Sequence, residues 1–291
     1  MRAFGSTEIK VSALGLGAGQ IGDARISEAE IRNLLSAAVD LGVTVIDTAP
    51  SYGLSEERIG RHLKDRRHEL ILSTKVGYGV PGEPDWTFAC ISRGIDIALR
   101  KLQTDHIDIV HLHSCGVEVL RDGAVMDALD EARHAGKIRV AAYSGENEAL
   151  TFALATQRFQ SIECSINLCD QKSIADVLPL AAHRQIGVIA KRPVANAPWR
   201  FKERPVGDYA EEYWHRWKTM NIDPGALDWQ ELALRFVAFT PGVSTCIVGT
   251  ANIDHLRRNV GIVAKGALPA DQVAAIRSGF RLHGEAWLPQ L

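Results

Sequence analysis

The strongest constraint on this chain is a repeat. Eight short, nearly all-apolar runs alternate with polar or amphipathic stretches between about residue 13 and residue 264. The runs cover residues 13–16, 43–47, 70–75, 107–111, 139–143, 161–165, 187–190 and 244–248. Strands apolar on both faces belong to parallel sheets covered on both sides. Helical periodicity marks 27–41, where Ser27 and Glu30 stand at capping-box spacing and Gly42 follows the last turn. The same period runs through 89–102, 124–134, 175–184 and 230–239.

Eight such units imply a closed barrel or a doubly wound sheet. Three features favour the barrel. Gly15-Leu16-Gly17-Ala18-Gly19 lacks the spacing of a dinucleotide-binding G-x-G-x-x-G turn. The candidate chemical groups fall at the ends of several different strands, where barrel active sites are built. The repeat also runs without a linker. The expectation is an α/β fold: a (β/α)8 TIM barrel forming one domain over residues 1–291, with a short N-terminal hairpin in residues 1–11 and an extra C-terminal helix over 272–282. Residues 284–291 are expected to fold over one barrel mouth or hang free.

Composition agrees with this class. A chain of 291 residues suits one barrel of roughly 250 residues with insertions. With 46% hydrophobic and 23% charged residues, a large core can be buried. A net charge of −2 without a long basic run argues against nucleic acid or an anionic membrane as partner. No stretch has the length of a membrane span, and the N-terminus lacks a signal-peptide layout. Five cysteines without a C-x-x-C pair read as reduced thiols, so a cytoplasmic enzyme is expected.

One connection breaks the rhythm. Residues 193–228 show no clear period and carry Trp199, Tyr209, Tyr213, Trp214 and Trp217, with Trp229 at the end. A segment this long is usually a lid or binding loop. Its rings either wall an apolar or sugar-like ligand or pack a short excursion helix.

Four residues carry the chemistry. Asp47 ends one apolar strand, with Tyr52 five residues later; Lys75 ends the next; His113 ends the one after, with His111 on the same side. A phenol has an ordinary pKa near 10, too high for easy proton transfer at neutral pH. A neighbouring ammonium favours the phenolate, and a carboxylate keeps that ammonium charged and placed. Tyr52, Lys75 and Asp47 therefore make a candidate proton donor, and a neutral His113 can orient a carbonyl oxygen.

The segment Asp47-Thr48-Ala49-Pro50-Ser51-Tyr52-Gly53, the lysine in Ser73-Thr74-Lys75 and the histidine in Asp108 to His113 together resemble the signature of the aldo-keto reductase superfamily. The resemblance runs over essentially the whole chain. It implies Tyr52 as general acid/base, Asp47 and Lys75 as its tuning pair, and His113 as the carbonyl-orienting group, with Asp108 structural. It also implies a nicotinamide cofactor, NADP(H) in preference to NAD(H). Ser144 matches half of the family's Ser-Asn pair at the carboxamide, with Gly145 replacing the asparagine. Glu163, with Asn167 beyond it, stands where a glutamine is usual. Lys191 or Arg192 occupies the place of the stacking aromatic. The segment Gly249, Thr250, Asn252, His255, Arg258 and Asn259 resembles the adenosine-phosphate site, a glycine turn leading into a helix N-terminus.

The implied activity is hydride transfer between nicotinamide and a small carbonyl or alcohol substrate, a sugar or a medium-sized aldehyde or ketone. Either a monomer or a dimer is compatible with the sequence. The alternatives are a cofactor-binding sensor or accessory subunit with little turnover, and an aldolase using Lys75 as a Schiff base.

Overall fold

A computed structural model describes residues 1–290. The eight predicted strands are present and form a closed, all-parallel barrel. A hairpin of β1 (Arg2–Ala3) and β2 (Lys10–Val11) precedes them. The barrel strands are β3 (Leu14–Gly17), β4 (Val45–Asp47), β5 (Ile71–Val76), β6 (Ile107–His113), β7 (Ile138–Ser144), β8 (Ser161–Ser165), β9 (Gly187–Lys191) and β10 (Thr245–Gly249). The last pairs with β3 to close the ring.

Helices cover the outside: α1 (Glu28–Asp40), α2 (Ser55–Leu63), α3 (Phe88–Leu102), α4 (Val117–Asp122), α5 (Ala124–His134), α6 (Asn147–Thr156), α7 (Lys172–Asp176), α8 (Leu178–His183), α9 (Glu211–Met220), α10 (Trp229–Ala238), α11 (Ile253–Ala264) and α12 (Ala270–His283). The capping box predicted at Ser27 and Glu30 is formed. The helix expected over 175–184 is instead two short ones broken at Val177. Pro179 sits in the first turn of the second, where a missing N–H costs nothing; inside one continuous helix it would break the ladder.

Successive residues of a strand alternate between the barrel interior and the helical layer. The interior cluster holds Val45, Ile109, Val140, Ile189 and Ile247. Two residues further along these strands come Asp47, His111, Ala142, Lys191 and Gly249. The interior thus changes from apolar at the N-terminal end to polar at the C-terminal end. The hairpin plugs the apolar end, with Phe4, Ile9 and Val11 joining the interior cluster. Gly187 makes room for the plug: a Cβ there would lie 2.7 Å from the Phe4 ring.

The long connection contains α9, and most of its aromatics are structural. Trp199 stacks on Trp229 with centroids 6.0 Å apart, and Trp217 meets Trp229 edge-on at 5.3 Å. Tyr209 is the exception, exposed and facing the C-terminal mouth. The C-terminal tail crosses that mouth. Carbonyls of Leu288, Pro289 and Gln290 accept from Arg216, Asn147 and Arg192, and the Gln290 N–H donates to Asp170. Leu291, the last residue of the predicted tail, lies outside the described residues. Among those residues, no helix is long and apolar enough to cross a membrane.

Phe4 is fully buried as the plug of the barrel. Phe4→Ala is therefore expected to lower the unfolding free energy by about 3–4 kcal/mol, the range for removing a buried ring. Urea denaturation followed by tryptophan fluorescence would measure it; a loss under about 1 kcal/mol would show that the hairpin is not a stabilising plug.

Candidate active site

Asp47, Lys75, His111 and Glu163 project into the polar end of the barrel, each no more than 2% exposed. The Lys75 Nζ lies 2.5 Å from Asp47 Oδ2 and donates to the Thr48 carbonyl at 3.1 Å. Asp47 Oδ1 accepts from the Ser73 hydroxyl at 2.7 Å. On the other side, Glu163 Oε2 is 3.5 Å from the same ammonium and 3.9 Å from His111 Nε2. Glu163 Oε1 accepts from the Ser144 hydroxyl at 3.2 Å, whereas Oε2 has no hydrogen-bond partner. One buried cation is thus shared by two carboxylates.

Tyr52 hangs over this cluster, with the Lys75 Nζ 5.5 Å from its ring centroid. Its loop is fixed from below. The Thr48 hydroxyl donates to Ser55 Oγ, which donates to the Ala18 carbonyl, both at 2.8 Å. Gly22 lies against the Tyr52 backbone so closely that a Cβ there would be 1.6 Å from the Tyr52 carbonyl oxygen. The buried Arg58 guanidinium donates to the carbonyls of Ile21, Asp23 and Ile26, holding the loop after β3 in place.

His113 meets Tyr52 edge-on with centroids 6.5 Å apart. Its Nδ1 lies 2.9 Å from the Tyr78 hydroxyl, and the Tyr78 ring stacks on the imidazole at 5.4 Å. The sequence reading missed Tyr78. It follows Lys75 by three residues, beyond the strand end, where alternation gives no direction to a side chain. Trp86 closes over Gly77 and packs on Tyr78.

The electrostatics follow from burial. Burial, then the Lys75 charge, push His113 down to about 4, and burial does the same to His111. Both imidazoles are neutral at physiological pH. Burial opposes the Lys75 charge, but Asp47 and Glu163 outweigh it, so the ammonium stays protonated well above the usual lysine range. The Lys75 ammonium draws the Tyr52 phenol down, yet burial with the Asp47, Glu163 and Tyr78 groups wins and raises it to about 12. The sequence implies that the lysine favours the phenolate; burial and the Asp47 and Glu163 charges outweigh it, and the phenol stays protonated, as a proton donor requires. Burial and the Glu163 charge raise the Asp47 carboxyl. Burial also raises Glu163, but Lys75, His111 and Lys191 outweigh it and hold that carboxyl low.

A cavity of about 730 Å³ opens above these groups, within the range of small-molecule sites. Its wall includes Asp47, Tyr52, Lys75, His113, Ser144, Glu163, Lys191, Arg192 and Gly249, so nine of the predicted residues meet in one place. Gly17, Gly19 and Gln20 also line it. The first two belong to the glycine run of the sequence; Gln20, whose side chain lies against Gly249, was not anticipated.

Other predicted residues stand apart from this wall. Asn167 closes a turn, accepting from the Cys169 N–H at 2.9 Å. Thr250 Oγ1 accepts from the Asn252 N–H, and Asn252 caps α11 by accepting from the N–H groups of Asp254 and His255. His255 and Arg258 are exposed, the latter paired with Asp228 at 3.0 Å. Asn259 is buried and accepts from Gln230 at 3.0 Å. Of the wall residues, Lys191 Nζ is 3.3 Å from Glu146, and Arg192 reaches Ser165, Tyr209 and the tail.

With folded pKa values held near 4, below the ordinary 6.5 or so, both barrel histidines should remain neutral as pH falls from 8 to 5.5. Nitrogen chemical shifts of the imidazoles would follow this; protonation of either above pH 6 would contradict the burial argument.

This geometry has counterparts among known proteins. Residues 13–279 match the model of the aldo/keto reductase family. The uncharacterized oxidoreductase YqkF of Bacillus subtilis is 28% identical over 95% of each chain. L-galactose dehydrogenase of Arabidopsis thaliana is 26% identical over 91% of this chain and 88% of its own. The holo form of aldo-keto reductase AKR11C1 from Bacillus halodurans superposes with a TM-score of 0.83 at 28% identity, over 96% of this chain and 95% of its own. The chain belongs to the aldo/keto reductase family.

Proposed function

We propose that this protein transfers hydride between a nicotinamide dinucleotide, NADP(H) in preference to NAD(H), and a small carbonyl or alcohol compound. The observation that carries the reading is the meeting of Tyr52, Lys75, Asp47 and His113 at one cavity. L-galactose dehydrogenase, named for a sugar substrate, supports a polar substrate of sugar or medium-sized aldehyde class.

The inner cavity wall fits a nicotinamide. Glu163 Oε2 is a buried acceptor with no hydrogen-bond partner, and Ser144 beside it supplies a hydroxyl. At Gly17 a Cβ would lie 3.3 Å from the Gly249 nitrogen, so the wall carries no side chain there. Ser144 and Glu163 would hold the carboxamide, and Lys191 and Arg192 would flank the ring. Gly249, Thr250, Asn252, His255, Arg258 and Asn259 would serve the adenosine end, and Asn167 would support the wall from behind. When bound, the dinucleotide supplies or accepts the hydride.

The protein's own part is proton transfer and orientation. The Tyr52 hydroxyl donates to the oxygen that becomes an alcohol. The Lys75 ammonium stabilises the negative charge left on the phenol, and Asp47 holds that ammonium in place. His113 presents Nε2–H to the substrate oxygen. In that tautomer Nδ1 is unprotonated and would accept from the Tyr78 hydroxyl 2.9 Å away. A Schiff-base role for Lys75 is disfavoured, because a neutral amine is needed and two carboxylates keep this one charged. A soluble, cytoplasmic location fits this reading.

Tyr52→Phe should lower kcat for reduction of a reactive aldehyde such as 4-nitrobenzaldehyde by about 10²–10⁴-fold while leaving dinucleotide affinity within threefold or so. NADPH absorbance and fluorescence titration measure the two quantities. An unchanged kcat would remove Tyr52 from the mechanism. Tyr78→Phe should reduce kcat/KM about tenfold, the scale of one hydrogen bond, with cofactor affinity retained. Loss of cofactor affinity instead would mark Tyr78 as a binding residue.

A further inference from the structure

Resting on the dinucleotide reading, we infer that the C-terminal tail belongs to the cofactor site: its backbone holds the Arg192 guanidinium in the cavity wall, so that residues outside the barrel set dinucleotide affinity. The place of the tail comes first. In the ring order β10-β3-β4-β5-β6-β7-β8-β9, the strands β8 and β9 stand opposite β4 and β5. Tyr52 follows β4 and Lys75 belongs to β5. The groups that meet the tail come from the other side: Asn147 after β7, Ser165 and Asp170 at and beyond the end of β8, and Arg192 after β9. Ser144, Glu163 and Lys191, on those same three strands, line the cavity. The tail therefore backs the wall assigned to the nicotinamide, across the mouth from the proton donor.

Its seat is built for an extended backbone. Arg216 and Asp170, 3% and 1% exposed, both turn to it. Arg216 donates to the Leu288 carbonyl at 2.8 Å, and its guanidinium carbon is 5.2 Å from the Trp287 ring centroid. Asn147 donates to the Pro289 carbonyl at 3.3 Å. Asp170 accepts from the Gln290 N–H at 3.1 Å and from the Tyr213 hydroxyl at 3.3 Å. Charges buried this deeply are costly unless partnered, and the tail supplies part of the partnership.

Arg192 joins this seat to the cavity. Alternation along β9 puts Ile189 and Lys191 inside the barrel and would send the next residue toward the helical layer. The Arg192 backbone is instead left-handed, with φ of 54°, and the side chain lines the cavity. A long side chain takes that conformation at a cost, which its surroundings must offset. The surroundings are the Ser165 hydroxyl at 3.2 Å, the Gln290 carbonyl and the Tyr209 hydroxyl, with the Tyr209 ring centroid 5.0 Å from the guanidinium carbon. The last two come from the tail and from the long excursion after β9, not from the barrel. A planar guanidinium fixed in advance loses little freedom when a flat ring stacks on it.

The test measures dissociation constants of NADPH and NADP⁺ by fluorescence titration and calorimetry on the full-length protein. Gln290→Pro lies in the tail and leaves the barrel core untouched; it replaces the N–H with a ring methylene that displaces the backbone from Asp170. It should weaken dinucleotide binding about tenfold, the scale of one charge-assisted hydrogen bond, with kcat at saturating dinucleotide within threefold or so of the wild type. Arg192→Ala should weaken binding at least as much. The double variant should be no weaker than Arg192→Ala alone, because both changes act through one guanidinium; a merely structural tail would give effects that multiply. Three results overturn the inference: dissociation constants unchanged in Gln290→Pro, multiplying effects in the double variant, or a change confined to the KM of the aldehyde, which would assign the tail to the substrate. In each the wild type still binds a dinucleotide, so that reading stands. Failure of the wild type to bind any dinucleotide overturns the reading and the inference together.

Discussion

A single buried ammonium organises this molecule. The Lys75 side chain is 1% exposed inside a barrel whose lower half is mainly apolar. A charge there is tolerable only with paired, well-placed acceptors. Asp47 and the Thr48 carbonyl supply them from the adjacent strand, and Glu163 from across the barrel. Removing one partner would leave a buried charge uncompensated. The strands that bear these residues are therefore tied together at the functional end by the same contacts that prepare the chemistry. Stability and function draw on one cluster, and the apolar plug of Phe4, Ile9 and Val11 secures the opposite end.

Tyr52 comes from a loop, yet its backbone is not free to wander. The Thr48–Ser55–Ala18 hydroxyl relay and the close approach of Gly22 fix its carbonyl and its path. Arg58 adds three carbonyl contacts to the facing loop. A catalytic group gains from such preorganisation, because its position is settled before substrate arrives. The same logic extends to His113, whose ring is stacked and hydrogen-bonded by Tyr78.

What the sequence disclosed and what it hid follow from the range of the physics involved. Strand alternation and strand order are local, so Asp47, Lys75 and His113 could be placed at the mouth from their runs alone. The barrel followed from eight such runs. Contacts between distant strands are not local. Nothing near Glu163 in the chain announces that its carboxylate reaches Lys75 and adds to the burial and the Asp47 charge that raise Tyr52. Tyr78 and Gln20 lie in loops, where spacing carries no directional information. The aromatic-rich insertion shows a similar gap: composition flagged it, but only packing separates Tyr209 at the cavity from tryptophans that stack on one another.

The two ends of the cavity differ in how they can hold a dinucleotide. At the inner end the wall is charged and buried, so its electrostatic interactions are weakly screened by salt. Beyond the Gly249 edge of the cavity, the N-terminus of α11 is already satisfied by the Asn252 side chain, which accepts from both Asp254 and His255. A phosphate at that terminus must compete with the chain's own cap. In the dinucleotide reading, preference for a 2′-phosphate then rests on exposed side chains such as Arg258, whose pairing with Asp228 is a surface ion pair and easily exchanged. Such a preference should weaken as salt rises.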